Sequence, residues 1–341
     1  MALSRRTIVV LRALGLGDLL TAVPAVRALR RAYPDDRLVL ATPAALAAVV
    51  SLVGGVDDIA PTTHPASVPW REAPPDLAVN LHGMGPQSIR GLLALTPRRL
   101  LSHAHPDFPD VDGPAWVEDL HEIDRWCRLV EYAGVPADLA DLALARPAVP
   151  SPAPGAVVIH PGASHAARRW PSERYARVAR ELAKAGHLVV VTGSQAEYTL
   201  AERVVAAAGL PGDALLAGRT RLVDLAALVA DAALVVCGDT GVGHLATAYG
   251  TPSVLLFGPV SPHTWGPPRD RPQHVALWAG RLGDTFADTP DPGLLRVSDA
   301  DVLHEARRLL AGGTTPKPST TEPLAERLLS RESLAKEHGH G

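Results

Sequence analysis

Residues 7–34 read TIVVLRALGLGDLLTAVPAVRALRRAYP. The run 7–12 is short, continuous and β-branched, the pattern of a strand buried on both faces of a parallel sheet. Gly15-Leu16-Gly17-Asp18 follows as a tight turn. From residue 18 to 32 apolar positions recur at helical spacing, until Tyr33-Pro34 stops them. Strand, glycine turn and helix in that order open a βαβ unit.

Working outward, 37–41 and 76–80 read as further strands, the second running into the polar turn His82-Gly83-Met84-Gly85. Residues 115–133 read as an amphipathic helix stopped at Gly134. The segment 146–155 (RPAVPSPAPG) can continue neither a helix nor a central strand. It marks a linker between a domain at 1–145 and a second at 156–311. In the second, strands are expected at 156–160, 187–192, 214–216, 233–237 and 253–257. Helices are expected at 172–185, 195–208 and 221–230, between the last two strands, and at 299–310. Ser298 and Asp301 form a capping box for the last helix. The tail 312–341, rich in Gly, Thr, Pro and charge, reads as disordered, with at most a transient helix at 322–336.

Composition agrees with helices on parallel strands: 47% of the 341 residues are hydrophobic and only 4% aromatic. A net charge of -3 excludes a broad nucleic-acid footprint. No apolar stretch approaches the roughly 20 residues needed to span a bilayer. Residues 1–6 are too few and too polar for a signal peptide. Cys127 and Cys237 are far apart and lack metal-ligand spacing, so a reduced, cytoplasmic compartment is expected.

Three strand-to-helix junctions carry the candidate chemistry. In the first, Gly15 and Gly17 let the backbone turn and approach a ligand, and Asp18 either caps the helix or presents a carboxylate to a cleft. A dinucleotide fingerprint needs another glycine where Leu20 stands. The second is His160-Pro161-Gly162-Ala163-Ser164, then Arg168-Arg169-Trp170-Pro171: either an ordinary surface loop, or an anion site of amides and a guanidinium. In the third, Cys237-Gly238-Asp239-Thr240-Gly241-Val242-Gly243-His244, the glycines admit a phosphate or sugar and the helix dipole favours negative charge. Asp110-Val111-Asp112 and Asp299-Ala300-Asp301 lack such glycine-turn contexts. Both read as structural, and no metal and no cofactor are expected.

These blocks resemble glycosyltransferase family 9, the ADP-heptose:lipopolysaccharide heptosyltransferase family. LRALGLGDLLTAVPAVRALRRAYP, HPGASHAARRWP, TGSQAEYTLAERV and CGDTGVGHLATAYGTPSVLLFGPVSPHTWGP follow the family's order, in patches over 7–267. The resemblance implies an α/β fold of the GT-B type, two facing Rossmann-like domains with parallel sheets. The N-terminal domain meets a saccharide or glycolipid acceptor and the C-terminal domain holds a nucleotide-sugar donor. It implies Asp18 as general base, with Gly15 and Gly17 in the acceptor-side loop. It implies Ser164, Arg168, Gly193, Glu197, Thr240, Gly241 and His244 at the nucleotide and diphosphate, Glu197 toward the ribose, and Asp239 at the donor sugar. Characterised members often carry Lys where Arg168 stands. Ala13 and Leu14 replace the serines often found before the Gly-Asp turn. No dense Lys/Arg cluster marks the acceptor side, and Arg98-Arg99 reads as a solvated pair.

The reaction implied is inverting transfer, in which one carboxylate suffices because a leaving diphosphate needs charge stabilisation rather than a proton. Neither nucleic acid nor more than peripheral membrane contact is expected. A nucleotide-sugar epimerase of the same shape is an alternative, as is a non-catalytic nucleotide-sugar-binding protein, though a binder needs no base.

Overall fold

A computed structural model of the protein describes residues 5–312. The expected disordered tail beyond Gly312, with its transient helix at 322–336, lies outside the described residues. The chain divides into two compact units, Met1–Ala145 and Arg146–Gly341.

Unit 1 runs β1 (Thr7–Leu11), α1 (Leu16–Thr21), α2 (Val23–Ala32), β2 (Arg37–Thr42), α3 (Ala47–Val53), β3 (Asp58–Pro61), β4 (Leu77–Asn80), α4 (Gln87–Leu93), β5 (Leu100–Leu101) and α5 (Glu122–Tyr132). Its five strands lie in the order β3-β2-β1-β4-β5, and every pairing is parallel. β1 is central, with Val10 opposite Leu40 on one side and Val79 on the other. That position explains its unbroken apolar run.

Two sequence expectations need correction here. The helix expected at 18–32 starts at Leu16 and breaks at Ala22. Pro24 has no N–H to give, and its ring clashes with the carbonyl four residues back, so one continuous helix is barred. The helix expected from 115 begins only at Glu122, capped by His121, whose side chain accepts from the Ile123 amide at 3.2 Å. The Arg125 guanidinium holds the carbonyls of Val117, Glu118 and Leu120, which an earlier start would need for its own ladder.

Unit 2 runs β6 (Val157–His160), α6 (Ser172–Lys184), β7 (Val189–Val191), α7 (Tyr198–Ala208), α8 (Leu222–Ala230), β8 (Leu234–Gly238), α9 (Gly241–Tyr249), β9 (Ser253–Phe257), α10 (Pro262–Trp265), β10 (His274–Trp278) and α11 (Asp299–Gly312). The sheet order is β10-β9-β8-β6-β7, again all parallel. The strand expected at 214–216 reduces to a single bridge, Val191 to Leu215, because Gly212–Ala214 coils into a 3₁₀ turn just before it. The Pro-rich segment 146–155 packs on unit 2: Arg146 pairs with Asp231 at 2.7 Å, and the Gly155 amide donates to the Asp231 carbonyl. Ser298 and Asp301 bond reciprocally at the start of α11, whose Val302, Ala306 and Leu309 join the core with Trp170 and Tyr175. Trp170 donates from Nε1 to the Val297 carbonyl at 3.0 Å, so the tryptophan of the Arg-Arg-Trp-Pro motif is a core residue that fixes its loop.

In parallel sheets of this kind, ligands sit beyond the carboxyl ends of the strands, where the winding reverses. That point lies between β1 and β4 in unit 1 and between β6 and β8 in unit 2.

Candidate functional sites at the two sheet edges

In unit 1 the chain leaves β1 at Arg12, which is fully buried. Its guanidinium donates to the Leu81 carbonyl (2.6 Å), the Asp18 carbonyl (2.8 Å), Thr21 Oγ1 (3.2 Å) and Glu122 Oε1 (3.2 Å). It also reaches Asp18 Oδ1 at 3.4 Å and lies over the Trp126 ring at 4.6 Å. Glu122 in turn accepts from Arg125 Nε and Trp126 Nε1, both at 3.0 Å. One buried carboxylate therefore serves two buried guanidiniums and binds the end of β1, the start of α1, the end of β4 and α5 together.

Asp18 sits at the edge of this network with its side chain 28% exposed. It is the third residue of α1, and Gly15 is the N-cap, so the capping reading of Asp18 does not hold. The loop role of the glycines is corrected too. Gly15 has φ -76, open to any residue, and Gly17 lies inside the helix. The strand passes almost directly into α1, so no left-handed turn is needed.

In unit 2 the loops after β6, β7 and β8 lie along one sheet edge, because these three strands are neighbours and parallel. Arg168 Nη1 stands 3.4 Å from Oδ2 of the buried Asp239. Arg168 Nε is buried with no hydrogen-bond partner. Thr240 is the N-cap of α9 but its side chain gives that helix no bond, and the amides of a first turn have no partner within their own helix. Gly241 opens α9, and His244, half-buried, meets the Trp265 ring edge-on at 6.2 Å. Gly243, read from sequence as space for a ligand, instead lets α9 pack on β9: a Cβ there would come within 3.0 Å of Leu255 Cδ2.

Glu197 lies across the β6 and β7 ends. Its Oε2 accepts from the Ser194 amide (2.8 Å) and hydroxyl (2.9 Å). Burial acts to raise its carboxyl, but those Ser194 bonds hold it below the usual carboxylate range. A Cβ on Gly162 would stand 2.1 Å from Glu197 Oε1. Gly193 packs against the Cβ atoms of Glu197 and Ala217, which makes it a spacer for Glu197. Ser164 is exposed on the Arg168 loop. Asp112 accepts from Tyr132, Asp299 pairs with Arg177 and Asp301 caps α11, so each of these acids has a structural partner. Among the described residues no group of three or more His, Cys, Asp or Glu side chains gathers as metal ligands. A cavity of about 520 Å³ lies against β5, lined by Arg98, Arg99, Phe108, Asp110 and Tyr132 among others, and none of its residues belongs to either cluster above.

Burial pushes His82 and His103 of unit 1, and His274 of unit 2, down to about 4 from the usual 6.5. Between those values the unfolded chain binds more protons than the native one, so stability rises with pH through that window. Acidification from 6.5 toward 4 is expected to lower the urea midpoint before the carboxylates, such as Asp141 with its depressed value, begin to contribute. A midpoint that stays flat through that window would show these imidazoles already protonated in the native state.

Residues 120–284 match the model of glycosyltransferase family 9 (heptosyltransferase). Over that span the chain is similar to glycosyltransferase family 9. It is 33% identical over 159 residues to lipopolysaccharide heptosyltransferase 2 of Salmonella typhimurium, covering 44% of this chain and 45% of that protein. It is 34% identical over 155 residues to lipopolysaccharide heptosyltransferase 1 of Pseudomonas aeruginosa, covering 43% and 42%. The chain thus spans less than half the length of the curated relatives it matches. Among solved structures, a family 9 glycosyltransferase from Veillonella parvula superposes with TM-score 0.74 at 20% identity, over 92% of this chain and 99% of the other. The E. coli ADP-heptose lipopolysaccharide heptosyltransferase II gives 0.72 at 22%, over 90% and 99%. The fold is the GT-B type, two Rossmann-like units with parallel sheets. No described helix is long and apolar enough to cross a membrane.

Proposed function

We propose that this protein is an inverting, metal-independent glycosyltransferase that moves a heptose from an ADP-linked donor to a hydroxyl of a saccharide or glycolipid acceptor, acting in the cytoplasm with at most peripheral membrane contact. The observation that carries the reading is the unit 2 edge. Ser164, Arg168, Gly193, Glu197, Asp239, Thr240, Gly241 and His244 all fall within the matched span 120–284, on three adjacent strand ends. One heptosyltransferase of E. coli, solved with ADP and with ADP-2-deoxy-2-fluoro heptose, shares the fold, which supports an ADP-linked donor.

In this reading Asp18 takes the proton of the acceptor hydroxyl as its oxygen attacks the anomeric carbon. The bond from that carbon to the diphosphate breaks on the opposite face, and its electron pair leaves on ADP. Arg168, with a buried Nε still unpaired, and the first-turn amides of α9 receive the developing charge. Asp239 orients the donor sugar, and Glu197, held by Ser194, meets the ribose.

The test is a calorimetric titration of ADP into the protein with divalent ions removed, then a panel of nucleotide-sugars screened by thermal shift. ADP is expected to bind without metal, and Gly162→Ala, by displacing Glu197, to weaken it roughly tenfold, about 1.4 kcal/mol. Binding that appears only with magnesium would end the metal-free scheme. Turnover of nucleotide-sugar with no acceptor present would favour the epimerase alternative.

A further inference from the structure

Among the described residues, the carboxyl edge of the unit 1 sheet holds four buried side-chain polar atoms without a hydrogen-bond partner: Thr42 Oγ1 at the end of β2 and, after β4 and β5, a group of three, Nδ1 of His82, Nδ1 of His103 and Nε1 of Trp116. Buried groups of this kind are ordinarily paired, so three in one place call for an occupant. His103 is 3% exposed, with the rings of Trp116 and Trp126 edge-on at 5.0 and 5.9 Å. The same two rings also meet guanidiniums, Arg125 at 3.8 Å from the Trp116 centroid and Arg12 at 4.6 Å from that of Trp126. These three unpaired atoms therefore belong to the cluster that holds Asp18.

His82 is the member placed by the tightest local geometry. It follows β4, and its amide donates to Asn80 Oδ1 at 3.1 Å. Asn80 Nδ2 donates to the Gly83 carbonyl (3.0 Å), Ser88 Oγ (3.0 Å) and Ser102 Oγ (2.9 Å). The turn is thus tied to the strand end that carries His103. The charges of both Arg12 and Asp18 act on the His82 ring.

We propose that His82, with His103 and Trp116, reads the hydroxyl groups of an uncharged sugar ring on the acceptor, beside Asp18. The proposal rests on the glycosyl-transfer reading above and narrows its acceptor. Both imidazoles are neutral near neutral pH, burial having pushed them to about 4. A neutral imidazole offers one N–H and one lone pair, which suits a hydroxyl that both donates and accepts. An anionic ring substituent would need an uncommitted cation, and here Arg12 and Arg125 are both spent on Glu122 and backbone carbonyls. The ring next to the attacked hydroxyl is therefore hydroxylic and not phosphorylated.

The experiment titrates the full chain, with isotope-labelled histidine rings, against methyl α-mannopyranoside and against its phosphate monoester, followed by NMR. Saturable movement of the His82 ring signals by the neutral glycoside is expected, with the monoester about tenfold weaker or worse. His82→Ala is expected to weaken the glycoside by about tenfold, and His82→Asn, which keeps a donor and an acceptor, to recover part of that. ADP affinity should be unchanged in both variants, and the urea unfolding profile of each reports whether unit 1 is folded. Should His82→Ala not fold, the contrast of the two probes on the unaltered chain decides. His82 signals unmoved by the glycoside mean the unpaired atoms hold water only, and overturn the proposal, as does a monoester that binds as well or better. The titration uses no donor, so a failure of ADP to bind would count against glycosyl transfer separately.

Discussion

Asp18→Asn is expected to lower the rate of transfer by about 10²–10⁴-fold, the usual worth of a positioned general base. Stability should hold within about 0.5 kcal/mol. Asn keeps the shape of the side chain but cannot take the proton. The structure sharpens this test, because Gly15 and not Asp18 caps α1. A cap would make Asp18→Ala cost about 1 kcal/mol. As a third-position residue whose carboxylate reaches Arg12 only at 3.4 Å, Asp18 gives up no more than the roughly 0.3–1 kcal/mol of a charge near a helix start. Initial rates of ADP release, set beside urea unfolding of the same variants, separate the two effects. A rate for Asp18→Asn within a few-fold of the unaltered protein would remove Asp18 from the proposed chemistry.

Glu122→Ala is expected to be the most destabilising single change in unit 1, by about 3–5 kcal/mol. Removing this carboxylate leaves the guanidiniums of Arg12 and Arg125 buried without compensation, and the Trp126 Nε1 loses its acceptor. For a domain of this size the loss corresponds to a fall in Tm of roughly 6–20 °C. Glu122→Gln, which keeps an oxygen for Trp126 and removes the charge, should fall between. Urea midpoints give the answer. A cost for Glu122→Ala below about 1 kcal/mol would mean that the carbonyls around Arg125 and Arg12 suffice to hold both charges.

The parts of the fold legible in the sequence are those written in local physics. β1, β6, β8 and β9 are continuous apolar runs because both faces of each are covered. β3, β5 and β10 escaped notice because all are edge strands: Asp58–Pro61 carries an acid and a proline, β5 is two residues long, and β10 is only half-buried. Pairing with a neighbour makes them strands, and pairing leaves little trace in a single segment. The break at Pro24 did have a local signal, a proline inside the helical pattern. The late start of α5 had none within its own pattern, since it depends on where Arg125 sends its donors.

The site divides in the same way. The glycine and Asp-Thr-Gly junctions could be found because strand ends and helix starts adjoin in the chain. Arg12 and Glu122 could not, being 110 residues apart and meeting only through the fold. A lone arginine closing an apolar strand was the one available signal, and it is fully buried. The residues Ser194 and Glu197 spell a capping box, a local reading that hides how the same carboxylate reaches the β6 loop.

That reach has a consequence for how this sequence can vary. Glu197 occupies the volume a side chain at residue 162 would fill, so the two positions are free to change only as a pair. A library that randomises 162 alone should return glycine, whereas one that also shortens 197 should return larger residues at 162. In descent the pair would behave as one heritable unit split across 35 residues of chain.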